Sequence, residues 1–481
     1  MRNLARSAVK APLAGAPPLA AALYGFALLS LVAGCASPPP AGDDVLPPHG
    51  VIGVSDAHLD PQYWIGREID ARRVVLDDQA IAAQNSRLVE LDPSVHDVEQ
   101  LPAELDGGQV RQWLSDLSAR PTIALYDENG GELQAAELDA LVASTAADAI
   151  AQQPATRFGL AVRRADLRTF PTRQRIFYTS ESADIDRFQE SALFPGTPVA
   201  IVHESRDGEW WFVVSPMYMA WVEKRHIAEG DARAVFEYTR KSPYVVVTGA
   251  TVATVYTREM PAVSALQLDM GVRVPVVADW PADRQVNGQH PYAAHVIELP
   301  VRAADGTLRF SPALLPRTAD VAREYLPLNR ANLLRQSFKF LGERYGWGHS
   351  YNARDCSGFV SEVYRSFGVR LPRNTRDQGV SPALNRVALR DVESHEARQA
   401  LLRDLEVGDL VYIPGHVMMV IGHDNGTPYV IHDTTGISYR RADGATTRVR
   451  LNGVSVTPLA PLLIDGAPMV ESITNILRIR S

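Results

Sequence analysis

The chain has 481 residues, too many for one hydrophobic core, so three or four domains are expected. Its hydrophobic fraction of 46% and charged fraction of 22% are those of an ordinary globular protein. A formal charge of −8 with no long run of like charge gives no basis for nucleic-acid binding by bulk attraction. With only two cysteines, Cys35 and Cys356, it is not a disulfide-stapled scaffold.

Residues 1–34 read as an export signal. Arg2, Arg6 and Lys10 form a basic leader, and an apolar stretch of small residues runs from Leu19 to Gly34. It ends in Leu31-Val32-Ala33-Gly34-Cys35, which resembles the bacterial lipobox. Cys35 is then expected to become the lipid-modified first residue. Ala36 after it suggests the periplasmic face of the outer membrane. Residues 35–55 read as a flexible tether. A plain signal peptide with a chance cysteine, or a single membrane anchor, is the competing reading; the scarcity of cysteine weighs against both. With Cys35 lipidated, Cys356 is the one remaining thiol, and a lone thiol in an exported chain suggests reactivity.

Residues 56–151 are expected to form a helical and irregular domain, with helical apolar spacing over Asp77–Leu88 and Leu133–Ile150. Tyr63, Trp64 and Trp113 read as packing residues. From Phe158 the pattern changes to short β segments: Leu160–Val162, Pro198–His203 and Trp210–Val214, then Val245–Val247, Val272–Val277 and Ala294–Leu299. Turn signals at Arg206-Asp207-Gly208 and Ser215-Pro216 separate them. Two small β-barrels, 152–236 and 237–325, fit this spacing and look like bacterial SH3-like domains. Trp210, Trp211, Tyr218 and Trp221 are more often barrel core than binding residues.

The chemistry lies in residues 326–481. A helix is expected over Asn332–Glu343, followed by a turn at Tyr345-Gly346-Trp347-Gly348. After Cys356, the apolar residues Phe359, Val360, Val363, Tyr364 and Phe367 recur at helical spacing. Asp355 is a natural N-cap, and Gly368 a natural stop. Cys356 thus sits in the first helical turn, where the macrodipole favours thiolate and free N–H groups favour an oxyanion. Gly358 is expected to leave room for a substrate backbone.

Two strands follow. One opens with His416, and the other, Tyr429–His432, brings a second histidine alongside. His416 is the candidate base and His432 its orienting partner. Taken singly, each residue has a blander explanation. A buried cysteine is usually inert, His423 reads as a loop residue, and His349 as a loop or cleft residue. One thiol and scattered histidines give no metal spacing, and no cofactor is implied.

At these residues the sequence resembles the NlpC-like family of bacterial cell-wall cysteine peptidases. The matching pieces are Tyr345–Gly348, Asp355–Val360, Leu371–Gln378, Gly408–Ile413, Gly415–Val420 and Tyr429–Asp433. The resemblance implies an α+β, papain-like peptidase domain, with the Cys356 helix packed on an antiparallel sheet. The domain order looks like that of γ-D-glutamyl-L-diamino-acid endopeptidases. It further implies Cys356 as nucleophile, His416 as base, His432 as third member and Tyr345 as an oxyanion donor. Asp355, Ser357 and Asn374 match substrate-lining positions, although some relatives carry an acidic residue where Asn374 stands. Tyr218, with Asp186 or Glu190, is the candidate for binding the free amine of the substrate's N-terminal L-Ala. The implied partners are peptidoglycan stem peptides or muropeptides, with membrane contact through the lipid anchor, and a monomer is expected. The competing functions are a D,D-cross-link endopeptidase, an acyltransferase on the same fold and a non-catalytic wall-binding scaffold. A scaffold has no need of Cys356, His416 and His432 together.

Overall fold

A computed structural model describes residues 50–389, 394–441 and 443–480. The leader, Cys35 and the tether as far as residue 49 lie outside the described residues. Among those described, no helix is long and apolar enough to cross a membrane.

The C-terminal part is built on a six-stranded antiparallel sheet. Its strands run in the order Arg386–Ala388, Asn475–Leu477, Leu410–Ile413, His416–Asp424, Thr427–Thr434 and Gly453–Pro458. Alternation sorts the side chains to its two faces. Leu410, Tyr412, Val417, Met419 and Ile431 pack with Phe359, Val360 and Val363 of the helix Cys356–Arg365. Val411, Met418, Val420 and Val430 pack on the other side. The helix follows its sequence signals, with Asp355 as N-cap and Gly368 at φ +79° three residues beyond Arg365.

The first β domain is a seven-stranded sheet drawn from Arg157–Gly230, with Trp210–Val214 at its centre and buried throughout. Trp221 is fully buried, and its indole N–H donates to Ser118 Oγ at 3.1 Å. The second β domain is assembled from smaller sheets. Its long hairpin, Ala294–Arg302 with Leu308–Pro316, lies against a three-stranded sheet around Tyr244–Val247.

The N-terminal region differs from the expected separate domain. Trp64, Ile81 and Leu88 are buried in the same cluster as Cys356, and Val51 and Val54 pack under the other face of the sheet. Val74–Leu76 pairs with Leu328–Asn329. Val110 and Leu114 belong to the first barrel's core, while Leu138 and Leu141 pack on Phe170 and Phe188 of that domain. These helices are short and carry narrow apolar stripes, so each finds its buried surface on a neighbour.

Candidate active site

Cys356 begins its helix and is 6% exposed. His416 opens the neighbouring strand, and Val417 behind it supplies a backbone hydrogen bond to the thiol. His416 Nε2 lies 2.8 Å from His432 Nδ1, and His432 Nε2 lies 3.0 Å from Thr457 Oγ1. This chain of contacts accommodates one useful set of tautomers. With Nε2–H of His416 donating to His432, and Nε2–H of His432 donating to Thr457, Nδ1 of His416 is left as the nitrogen with a free lone pair. Thr457, from the edge strand Gly453–Pro458, had no signal in the sequence, because its role depends on strand pairing.

The electrostatics differ from the expected thiolate. Burial, with Asp355 adding repulsion, pushes the Cys356 thiol up to about 12. Burial also pushes the His416 imidazole down to about 4 and that of His432 well down. The resting pair is therefore neutral thiol and neutral imidazole. A macrodipole effect of about 0.3–2 kcal/mol does not offset the burial of a full charge.

Asp355 is deeply engaged. Its carboxylate accepts from Gly358 N at 2.8 Å, Gly348 N at 3.0 Å and Arg373 Nη2 at 2.7 Å. Burial raises its pKa, but Arg373 opposite it wins and holds the carboxyl down to about 2. Ser357 joins this network, accepting from Arg373 Nη1 at 2.8 Å. Both residues are buried, so they shape the site chiefly through Arg373 and the Gly348 loop.

The tightness around Gly358 has a different cause from the one expected. A Cβ there would lie 2.7 Å from the His349 ring. His349 is buried, at φ +68°, with Nδ1 3.1 Å from Arg373 and Nε2 3.2 Å from Glu362. It packs under the helix start and lines a small cavity there with Tyr218, Ser361 and Arg373.

Tyr345 is bridged to Arg354 and buried to 9% exposure. Burial, then the nearby Cys356, raises its pKa, so it keeps its proton and can donate it in a hydrogen bond. Asp433 is a further group that sequence reading missed. It extends the helix-facing alternation of Tyr429 and Ile431, is fully buried, and neither carboxyl oxygen has a partner among the described residues. Burial pushes it well up, so it sits beneath Cys356 and Tyr345 as a neutral acid.

The first β domain reaches this site. Its Glu190 carboxylate accepts from Tyr218 Oη at 2.5 Å and from Thr169 Oγ1 at 2.6 Å. The Tyr218 hydroxyl also meets the Asn374 side chain, so the three form one cluster across the domain boundary. Asp186 is not part of it. It is buried inside the barrel, paired with Arg168 and capping Ile176 N and Phe188 N. Of the two anionic candidates, only Glu190 faces Tyr218. On the other side, a groove of about 460 Å³ leads to Gly415 beside His416, lined by Thr375, Arg376, Arg386 and Tyr412. Among the described residues no group of histidines, cysteines or acids could hold a metal ion.

Residues 342–456 match the NlpC/P60 family, and residues 175–223 match the SH3 domain of SH3b1 type. The chain therefore carries an NlpC/P60 domain, the domain of a class of cysteine peptidases, together with an SH3 domain. It is 26% identical over 220 residues to gamma-D-glutamyl-L-lysine dipeptidyl-peptidase of Bacillus cereus (strain ATCC 10987 / NRS 248), covering 43% of this chain and 55% of that protein. It is 23% identical over 231 residues to dipeptidyl-peptidase 6 of Lysinibacillus sphaericus, covering 47% of this chain and 74% of that protein. The chain thus spans about half the length of the Bacillus relative. The solved structure of an NlpC/P60 endopeptidase from Photobacterium damselae subsp. piscicida shares the fold, with a TM-score of 0.68 at 18% identity. That likeness covers 87% of this chain and 96% of the other.

Proposed function

We propose that this protein cleaves the γ-D-glutamyl-L-diamino-acid bond of peptidoglycan stem peptides. In this reading His416 Nδ1 takes the Cys356 thiol proton as the sulfur attacks the γ-carbonyl of D-Glu. The oxyanion meets the Cys356 N–H and the Tyr345 hydroxyl. The C–N bond then breaks, and the His416 imidazolium returns its proton to the leaving amine. Water, deprotonated by His416, splits the thioester and restores the thiol. His432 and Thr457 keep the imidazole in the one tautomer that serves both directions.

The observation that carries the bond specificity is Glu190. A carboxylate from the SH3 domain stands beside Asn374 of the peptidase domain, held by Tyr218. An anion there suits the ammonium of an N-terminal L-Ala and would place the next residue's γ-carbonyl at the thiol. Arg376 and Arg386 in the adjoining groove suit carboxylates on the leaving diamino acid. Export and attachment through Cys35 to the periplasmic face of the outer membrane, and action as a monomer, belong to the same proposal.

Mass spectrometry of L-Ala-γ-D-Glu-diaminopimelate peptides, with the L-Ala amine free or capped, tests it. Cleavage between D-Glu and diaminopimelate of the free-amine peptide alone is expected, and none with Cys356→Ala. Cleavage of a D,D-cross-link instead, or undiminished activity in that variant, would overturn the reading.

A further inference from the structure

Asp433 is the buried group that the proposed reaction leaves without a role. It lies on the strand Thr427–Thr434 and is fully buried, and neither carboxyl oxygen has a partner among the described residues. Buried polar groups are nearly always hydrogen-bonded, and a bare carboxyl beside a reactive thiol is a candidate functional group.

Strand pairing sets where it stands. Met419 lies opposite Ile431 in an antiparallel pair, and the next positions on the same face are Val417 and Asp433. Val417 packs with the Cys356 helix, and its N–H bonds to the thiol. On the other side Asp433 lies opposite Val454, whose N–H donates to Glu343 O at 2.9 Å, while Tyr345 N donates to Asn452 O at 3.0 Å. The acid is thus set between the strand that touches the thiol and the segment that carries the Tyr345 hydroxyl.

The cations around it are already committed. Arg354 pairs with Glu343 at 2.7 Å, Asp269 at 2.8 Å and Glu362 at 2.9 Å, and Arg373 pairs with Asp355 at 2.7 Å. Asp355 and Glu343 repel a charge on Asp433, and Arg354 attracts one; the strand neighbours Val417 and Val454 are apolar. A carboxylate buried without a counter-ion takes up a proton instead. Asp433 in turn acts on both Cys356 and Tyr345.

We propose that Asp433 is a positioning residue that sets how readily the Cys356 site holds negative charge. As an uncharged acid it leaves room for one anion, first the thiolate and then the oxyanion at Tyr345. Once ionised it opposes both by like-charge repulsion. That Cys356 is the nucleophile rests on the proposed function; the coupling of the two groups rests on where the strands place them.

The pH profile of Cys356 carbamidomethylation tests it, read by peptide mapping on the full chain with uncharged iodoacetamide. Asp433→Asn keeps the shape of the side chain and cannot ionise. Its rate relative to the parent should stay within about twofold at about pH 6 and rise to about tenfold by about pH 10, where the parent's acid is ionised. A merely structural part would change the rate by one factor at every pH, so a ratio constant across that range would overturn the proposal. Should the asparagine variant fail to fold, Asp433→Thr, uncharged and suited to a strand, carries the same test with the same two outcomes. Alkylation needs no peptide substrate, so failure to cleave stem peptides would count against the reaction and not against this coupling.

Discussion

A thiol pushed up to about 12 and an imidazole pushed down to about 4 make a pair that rests uncharged. The alternative, a standing thiolate–imidazolium pair, would react with a neutral alkylating agent at a rate independent of pH across neutrality. Here the rate of Cys356 carbamidomethylation is expected to climb with pH, with no plateau between about pH 5 and 9. A plateau in that range, measured by peptide mapping, would show that an ion pair exists. The placement of Cys356 at a helix start and of His416 and His432 on neighbouring strands was legible in the sequence, because a helix cap, an apolar repeat and two strand histidines are local signals. Their protonation was not, because it depends on burial by chain segments far away. The same holds for Thr457 and Asp433, which matter only through what the fold sets beside them, and for Asp186, whose partner Arg168 turns it inward.

Among the elements, the start of the Cys356 helix is held by charges from all three domains. Arg354, two residues before Cys356, is fully buried and pairs with Asp269 at 2.8 Å, Glu362 at 2.9 Å and Glu343 at 2.7 Å. Asp269 belongs to the second β domain and also pairs with Arg164 from the first. Arg164 Nη2 in turn donates to His349 O at 3.0 Å, and also to Ala353 O. Removing one partner from such a network leaves a buried charge without compensation. Asp269→Ala is therefore expected to lower stability by about 3–5 kcal/mol, measured by denaturant unfolding; a loss below about 1 kcal/mol would mean the pairs are solvated. Sequence pattern located six of the fourteen strands of the two β domains to within a few residues, and passed over the rest. It did not show that the N-terminal helices share their neighbours' cores, because amphipathic spacing says which face is apolar and not what covers it.

For the molecule as a whole, acid stability includes two opposing contributions from Asp409 and His416. Burial pushes Asp409 up to about 6, although Glu406 N at 3.0 Å and Arg480 at 3.2 Å both donate to it. The folded state therefore binds the proton more tightly than the unfolded chain, and Asp409 loses stability for the fold as pH rises from about 4 to 6. His416 behaves in the opposite way. Its folded value near 4 lies below the unfolded one, so it costs stability as pH falls from about 6.5 to 4. Asp409→Asn removes the first contribution alone. The variant should lose stability on acidification from pH 6 to 4 more steeply than the parent, as read from urea midpoints at each pH. An identical slope would show that Asp409 does not titrate there.

The packing of Val51 and Val54 in one cluster with Ile476 sets a condition on how the protein is made. A ribosome delivers those two valines more than four hundred residues before the isoleucine that completes their core. Until then the sheet beneath Cys356 lacks both its last inner strand, Asn475–Leu477, and the apolar residues that cover it. The barrels in between can close early, since their partners are near in sequence. The peptidase half must wait for the end of translation. A chain arrested or clipped shortly before residue 475 should therefore present folded β domains on an unfinished catalytic half, and no active enzyme exists while the chain is still being synthesised.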